Sequence, residues 1–179
     1  MHELQFFTST RPLWALLVSL LAIPLILLAG EKRRNLREGW TLLAAFAKAG
    51  LVWSMLPWVL SGRVAQFSLW HISPGVELAL RVDTLGFVFA VVASTLWLLT
   101  SLYSIGYVRG AHEHKQTRYF ASFALCLHAT IGIAFAANLL TFVIFFEMLS
   151  LATYPLVIHK ETPKAIDAAR KYLAFVLPA

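Results

Sequence analysis

Three ionisable side chains lie inside long apolar runs of the sequence, and they are the first candidates for chemistry. Glu147 and Lys48 are each the ninth residue of their run, and His128 lies in the middle of another. An ionised group within a bilayer costs several kcal/mol or more unless it is paired or hydrated. Such groups are therefore treated as functional candidates by default.

Glu147 is the strongest of the three candidates. Because it lies near the middle of its membrane span, its carboxyl group must be protonated, paired or hydrated. Ser150 at i+3 and Tyr154 at i+7 share its helical face, and their hydroxyl groups can donate and accept hydrogen bonds. We therefore predict that Glu147 exchanges a proton along a polar path that includes Ser150 and Tyr154. The alternative is a buried glutamate that only hydrogen-bonds a neighbouring helix.

Lys48 and His128 are candidate relay groups. A lysine and a glutamate at similar depth on two helices predict an ion pair with Glu147 or a step in a relay. Histidine shuttles protons near pH 7. The alternatives are a lysine whose stem extends to the membrane interface and a histidine that is an ordinary hydrogen-bonded core residue.

No other pattern in the sequence indicates a cofactor or a metal site. A bis-histidine haem site would need a second histidine within a membrane run, and the pair His112 and His114 is too short for metal-ligand spacing. The sequence contains no Gly-rich phosphate loop and no Gly-x-Ser-x-Gly elbow. The single cysteine, Cys126, lies in an apolar run, where we expect a core residue. We predict no cofactor, no metal, and no intramembrane enzyme.

The composition around these residues predicts an all-α polytopic membrane protein. Of 179 residues, 59% are hydrophobic and 13% are charged, and the mean hydropathy is +0.72. Soluble domains carry about 25% charged residues, so a soluble domain, a disordered chain and a disulfide scaffold are excluded. Only Asn138 separates the last two complete runs, which predicts a tight helical hairpin. We expect one membrane domain over 1–179, with five transmembrane helices at 13–30, 40–60, 84–108, 119–137 and 139–158 and an incomplete sixth at 171–179.

The basic residues predict the orientation in the membrane. Eleven Lys and Arg residues lie in the loops at 31–39, 109–118 and 159–171, against three on the other side. The positive-inside rule then puts the N-terminus outside and the basic loops in the cytoplasm, in the inner or plasma membrane of a prokaryote. The net charge of +6 serves orientation and contact with lipid headgroups, and we expect no nucleic-acid partner.

The segment at 64–83 predicts an external β-hairpin. Alternate residues from Val76 to Val82 are apolar, which is the period of a strand. Pro74 and Gly75 suit the two central positions of a type II turn. The alternative is an irregular loop.

The stretch from Asn138 to Leu156, with its continuation from His159 to Leu173, resembles a known family. The family comprises the antiporter-like subunits of respiratory complex I (types L, M and N), of Mrp-type Na⁺/H⁺ antiporters (types A and D) and of membrane-bound hydrogenases. Its members carry a helix with a central glutamate that follows an Asn-Leu pair and phenylalanines, and Glu147 corresponds to that glutamate. The resemblance favours the D-like branch of the Mrp antiporters or the M/N-like branch of complex I.

This resemblance implies a subunit that translocates protons, or exchanges H⁺ for Na⁺, among other membrane subunits. A complex I-like protein would be a cofactor-free subunit of a proton-translocating NADH:quinone oxidoreductase, and an Mrp-like protein would be a transporter subunit. In the family the glutamate works with a lysine on a later helix, so we expect a fragment, a truncated product or one piece of a split subunit. The alternative is a non-transporting structural or assembly subunit, in which Glu147 and Lys48 only pair helices.

Overall fold

Helices form most of the described chain, and a small sheet lies at one end of them. The structure is a computed structural model that describes residues 5–111, 114–159 and 161–176. The elements in chain order are β1 (Gln5–Thr8), α1 (Arg11–Ala29), α2 (Arg34–Trp53), α3 (Leu56–Leu60), β2 (Arg63–Ser73), β3 (Val76–Val82), α4 (Thr84–Gly110), α5 (Gln116–Ala134), α6 (Leu139–Val157) and α7 (Pro163–Val176).

Within these residues, four helical segments are long and apolar enough to cross a membrane. They are Arg11–Ala29, Arg34–Leu60, Thr84–Gly110 and Leu139–Val157, and the second combines α2 with α3. The expectation of a mostly helical membrane fold is therefore confirmed. The helix over the run at 119–137 is α5, which has 19 residues but is not one of the four. Its first turn is polar, beginning Gln116, Thr117 and Arg118.

The connection between α5 and α6 is longer than the single residue Asn138 that the sequence suggested. α5 ends at Ala134, and Ala136 forms an antiparallel bridge with Leu80 of β3. The N–H of Ala137 donates a hydrogen bond to the carbonyl of Ala79 at 2.9 Å. Asn138 then caps α6 through its side-chain oxygen. The helix stops early because β3 satisfies the backbone groups that helix ends leave unpaired.

Helices also extend beyond the apolar runs where charged residues have partners. α2 begins at Arg34, before the predicted start at residue 40, and its first turns carry an Arg37–Glu38 ion pair of 3.3 Å. α7 begins at Pro163, where proline suits the first helical turn, and not at residue 171. Residues 177–179 of the predicted sixth run lie outside the described residues, as do 112–113.

The sheet has three strands in the order β1-β2-β3. β2 and β3 pair antiparallel, from Ala65 with Val82 to Ser73 with Val76, and Gly75 in the turn has a φ of 81°, which favours glycine. β1 pairs in parallel with β2, so the segment predicted as a hairpin is part of a larger sheet.

The helix α5 lies at the centre of the bundle. It packs against α1, α4 and α6, while α2 packs against α1 and α4, and α7 packs on α6. α5 and α6 approach closely at Gly132, where an added Cβ atom would lie 2.3 Å from the ring of Phe145. One buried cluster, near the sheet, includes Leu80, Phe87, Ile131, Phe135 and Phe145, and a second, among α1, α2, α4 and α5, includes Ile26, Ala45, Trp97, Phe120 and Leu127.

The loops that carry most basic residues meet at the end opposite the sheet. Glu31 accepts a hydrogen bond from the N–H of Thr117 at 2.7 Å. Glu161 pairs with both Lys115 and Arg118 at 2.5 Å. We call this the basic end, formed by the described parts of the loops at 31–39, 109–118 and 159–171.

Candidate functional site

The side chain of Lys48 is fully buried at the centre of the bundle. Its Nζ atom donates hydrogen bonds to Oγ of Ser19 on α1 at 2.6 Å and to the carbonyl of Leu127 on α5 at 3.1 Å. It also lies 5.3 Å from the ring centre of Trp97 on α4. Lys48 therefore joins α2 to three other helices, with its amine enclosed between them.

The surroundings of Lys48 suit an amine that can hold or release a proton. An ammonium has three N–H donors, and two of them have the acceptors just described. The hydroxyl of Ser19 itself donates to the carbonyl of Leu16 at 3.4 Å, so it is free to accept from Lys48. Among the described residues no carboxylate pairs with Lys48, and the face of Trp97 is the remaining attraction for its charge. The same two donors are present in a neutral amine.

His128 lies on α5 beside the Lys48 site. Its Nδ1 atom is 2.9 Å from the carbonyl of Leu16. Because a carbonyl only accepts hydrogen bonds, this contact assigns the proton of a neutral ring to Nδ1. The ring also packs edge-on against Phe145 of α6 at 5.7 Å. His128 thus contacts both α1 and α6.

Glu147 lies on α6, which packs against α5 and α7. Phe145 is buried against α5, and Glu147 points about 200° around the helix from it, at 3.6 residues per turn. The Glu147 side chain is half-buried, and within the described residues it makes no hydrogen bond or ion pair. The expected pair with Lys48 is therefore not formed in this part of the chain.

The two hydroxyl residues near Glu147 differ in their environment. Ser150 is buried, and its hydroxyl donates to the carbonyl of Phe146 at 3.0 Å, which leaves its oxygen able to accept. Tyr154 is half-buried. One turn after Ser150, the hydroxyls of Thr153 and Tyr172 lie 2.8 Å apart and join α6 to α7.

The buried face of α4, which points into the bundle, was not among the candidate sites predicted from the sequence. This face carries four buried polar side chains, those of Ser94, Trp97, Ser101 and Ser104. Their spacing of three and four residues is that of one helical face, so the signal was present in an otherwise apolar run. Ser19 was also missed, because one serine in a long apolar helix gives no signal of its partner.

A network of charged side chains, with Arg37 and Glu38 buried at its centre, lies at the basic end. Arg37 is fully buried and donates to Glu31 at 3.0 Å and to Gln116 at 2.8 Å. Glu38, also buried, pairs with Arg37 and Arg109. Burial alone would raise the pKa of Glu31, but the hydrogen bonds from residue 117 and the charge of Arg37 lower it below its ordinary value.

The chain is similar in sequence to a group of membrane subunits. Residues 70–120 match the family described as NADH-ubiquinone oxidoreductase (complex I), chain 5 N-terminus. The putative antiporter subunit mnhA2 of Staphylococcus haemolyticus (strain JCSC1435) is 27% identical over 168 residues, which is 90% of this chain and 21% of that protein. The chloroplastic NAD(P)H-quinone oxidoreductase subunit 5 of Ipomoea purpurea is 27% identical over 184 residues, 98% of this chain and 25% of that protein.

The fold is also similar to part of one chain of a solved membrane complex. A chain of the membrane-bound sulfane sulfur reductase (MBS), an archaeal respiratory membrane complex, superposes with a TM-score of 0.81 at 16% identity, over 93% of this chain and 34% of that chain. The relatives named above are chain 5 and mnhA2 proteins, whereas the motif favoured a D-like or an M/N-like branch. This chain spans 21% and 25% of the two curated relatives. In sequence and fold it matches the N-terminal portion of the antiporter-like subunits of complex I-type and Mrp-type assemblies.

Proposed function

We propose that the chain is part of a subunit that translocates protons, or exchanges H⁺ for Na⁺, within a multisubunit membrane complex. The observation that carries this proposal is the half-buried carboxyl group of Glu147, unpaired among the described residues, in a helix long enough to cross a membrane. Such a group must be protonated, hydrated or paired with a group outside the described residues. A carboxyl group that is hydrated or paired in this way can exchange its proton.

Glu147 is the central proton-exchanging group in this proposal. The hydroxyls of Ser150 and Tyr154 follow it along α6 and can bind the water molecules that carry the proton. Lys48 and His128 act as secondary relay groups. Their side chains contact neighbouring turns of α1, Lys48 at the hydroxyl of Ser19 and His128 at the carbonyl of Leu16. The subunit itself needs no cofactor, so any redox chemistry belongs to partner subunits.

We further propose five membrane spans, α5 included, in the orientation that the basic residues favour. The basic end then faces the cytoplasm of a prokaryotic cell, and the N-terminus and the sheet face outward. The meeting of the basic loops at one end supports this orientation. At the sheet end, Arg11 lies over Trp58 and Arg63 over Phe7, at 4.6 and 4.3 Å from the ring centres.

A second candidate function is a non-transporting structural subunit. It is favoured by the way in which the buried charges join helices. Lys48 connects α2 to α1 and α5, and Arg37 connects α2 to the start of α5. In this alternative the same groups only hold the bundle together, and Glu147 binds a neighbouring subunit.

The two functions are separated by substitution of Glu147 in the assembled complex. Proton transport into vesicles is measured for Glu147→Gln, which removes the titratable group, and for Glu147→Asp, which retains it. The proposed function predicts loss of transport in the first and partial retention in the second, with the complex intact in both. Unchanged transport in Glu147→Gln would favour the structural subunit.

A further inference from the structure

We propose that ordered water enters the bundle from the basic end, along the inner face of α4, and reaches the amine of Lys48. The proposed binding site is a narrow column between α2, α4 and α5, and its ligand is water. The proposal does not depend on the role of Glu147, because the column lies on the Lys48 side of α5 and uses different residues.

Two buried polar atoms without partners among the described residues carry the inference. Oγ of Ser101 and Nε1 of Trp97 are both enclosed and make no hydrogen bond to any described residue, and their side chains are 0% and 1% exposed. The two residues are four apart on α4 and so share one face. Buried polar groups are almost always hydrogen-bonded, and water fills the role where the protein offers no partner. Each of these atoms therefore marks a site for a water molecule.

The column is continuous with polar groups that lead to the basic end. One turn beyond Ser101, the hydroxyls of Ser104 and Tyr119 are 3.1 Å apart. One further turn along, the amide of Gln116 donates to the carbonyl of Val108 at 3.2 Å. Gln116 also accepts from Arg37 at 2.8 Å, which brings the series of polar groups to the charged network of the basic end.

The helices α2 and α4 are tied together at both ends of this column. Lys48 meets Trp97 at its inner end, and Glu38 pairs with Arg109 at its outer end. Lys48 and Glu38 are separated by about 15 Å along α2, and Trp97 and Arg109 by about 18 Å along α4, at 1.5 Å per residue. The two helices therefore run side by side over the column. Between its ends, the buried residues of α2 have small side chains, those of Thr41, Ala44 and Ala45.

The column ends at Lys48. Beyond Trp97, the next buried polar residue on this face of α4 is Ser94, whose hydroxyl already donates to the carbonyl of Val91 at 3.2 Å. The following buried residues toward the sheet, Ala90 and Phe87, are apolar. Lys48 itself has a third N–H that no described residue accepts, and water in the column can take it.

Cysteine accessibility tests the column directly. Ser101→Cys and Ser94→Cys are made separately in a Cys126→Ala background, so that residues 1–179 carry one thiol in each variant. Both new thiols are buried on the same face of α4, on opposite sides of Trp97. The purified complex is treated with 2-aminoethyl methanethiosulfonate, a small water-soluble thiol reagent, and the labelling rate is measured by mass spectrometry. Correct assembly of each variant is checked by gel filtration.

We expect the thiol at position 101 to be labelled roughly tenfold or more faster than that at position 94, because the reagent attacks a hydrated thiolate. Equal rates, or no labelling at either position, would overturn the proposal. A second measurement uses Lys48→Cys in the same background, with Ser101→Leu or Ser94→Leu added. Labelling at position 48 should slow with Ser101→Leu, which fills the column, and not with Ser94→Leu. Equal effects of the two leucines would also contradict it.

Discussion

The amine of Lys48 donates a hydrogen bond of 2.6 Å to the hydroxyl of Ser19, and this bond joins α2 to α1 in the middle of the bundle. Both side chains are fully buried. A cation in such a position is usually held by a carboxylate, but here a hydroxyl, a backbone carbonyl and an indole ring surround it. The stability of the bundle and the chemistry of Lys48 therefore depend on the same contacts.

Removal of the Ser19 hydroxyl should destabilise the bundle. We expect Ser19→Ala to lower the free energy of unfolding by about 1–3 kcal/mol, because it leaves the buried amine of Lys48 without one of its two acceptors. Unfolding in detergent is measured by circular dichroism, with Ser54→Ala as the control, since Ser54 is exposed at the end of α2. Adding Lys48→Met to Ser19→Ala should recover part of the loss. Equal stability of the Ser19→Ala and Ser54→Ala variants would argue against this bond.

Substitution of Arg37 in the buried network at the basic end should lower the free energy of unfolding more than substitution of Ser19. We expect Arg37→Met to lower the free energy of unfolding by about 3–5 kcal/mol, because the buried Glu38 loses one of its two cations. The control is Lys171→Met, which breaks an exposed ion pair of 2.8 Å with Asp167 and should change stability by about 0.5 kcal/mol or less. A similar small effect of both changes would mean that Arg37 is not part of an essential network.

The close approach of α5 and α6 at Gly132 predicts that a larger residue at this position would clash with α6. Gly132→Ala should destabilise the protein by about 1–3 kcal/mol, because its Cβ atom would overlap the ring of Phe145. The control, Gly106→Ala on α4, meets nothing within 4 Å and should be neutral or stabilising in a helix. Phe145→Leu combined with Gly132→Ala should restore part of the stability, and its failure to do so would contradict the packing.

The pairing of Glu161 predicts a pH dependence at the basic end. Hydrogen bonds from Lys115 and Arg118, together with their charges, lower the pKa of Glu161 from 4.5 to about 2. Because the folded pKa is depressed, its stabilising effect is complete above the ordinary value and is lost as the pH falls toward about 2. The melting temperature of the wild type should therefore exceed that of Glu161→Gln at pH 7. A difference between the two that stayed constant as the pH fell from 5 toward 2 would contradict the ion pairs.

The helices and the strongest candidate residue could be predicted because long apolar runs, and a charge within one, are local features of the sequence. A single carboxylate such as Glu147 in a long apolar run is visible without any knowledge of its neighbours. The contacts of Lys48 were not visible, because its acceptors on Ser19 and Leu127 are 29 and 79 residues away in the chain. Their proximity arises only when α1, α2 and α5 pack together.

Helix ends and strand pairing were also only partly predictable. The run at 119–137 is apolar to its end, so nothing in its hydropathy marks the stop of α5 at Ala134. That stop depends on the pairing of the next residues with β3, a contact between distant segments. In the same way, the four residues Gln5–Thr8 form a strand because they pair in parallel with β2.

The proposed role of Glu147 as the central proton-exchanging group is tested most directly by proton transport in the assembled complex with Glu147 substituted. Vesicles that contain the wild type, Glu147→Gln, Glu147→Asp or the control Glu77→Gln are compared with a pH-sensitive dye. Glu77 lies on the sheet, where its carboxylate contacts His71 and Ser68. We expect Glu147→Gln to abolish transport, Glu147→Asp to retain part of it, and Glu77→Gln to transport as the wild type does. Wild-type transport by an intact Glu147→Gln complex would contradict it.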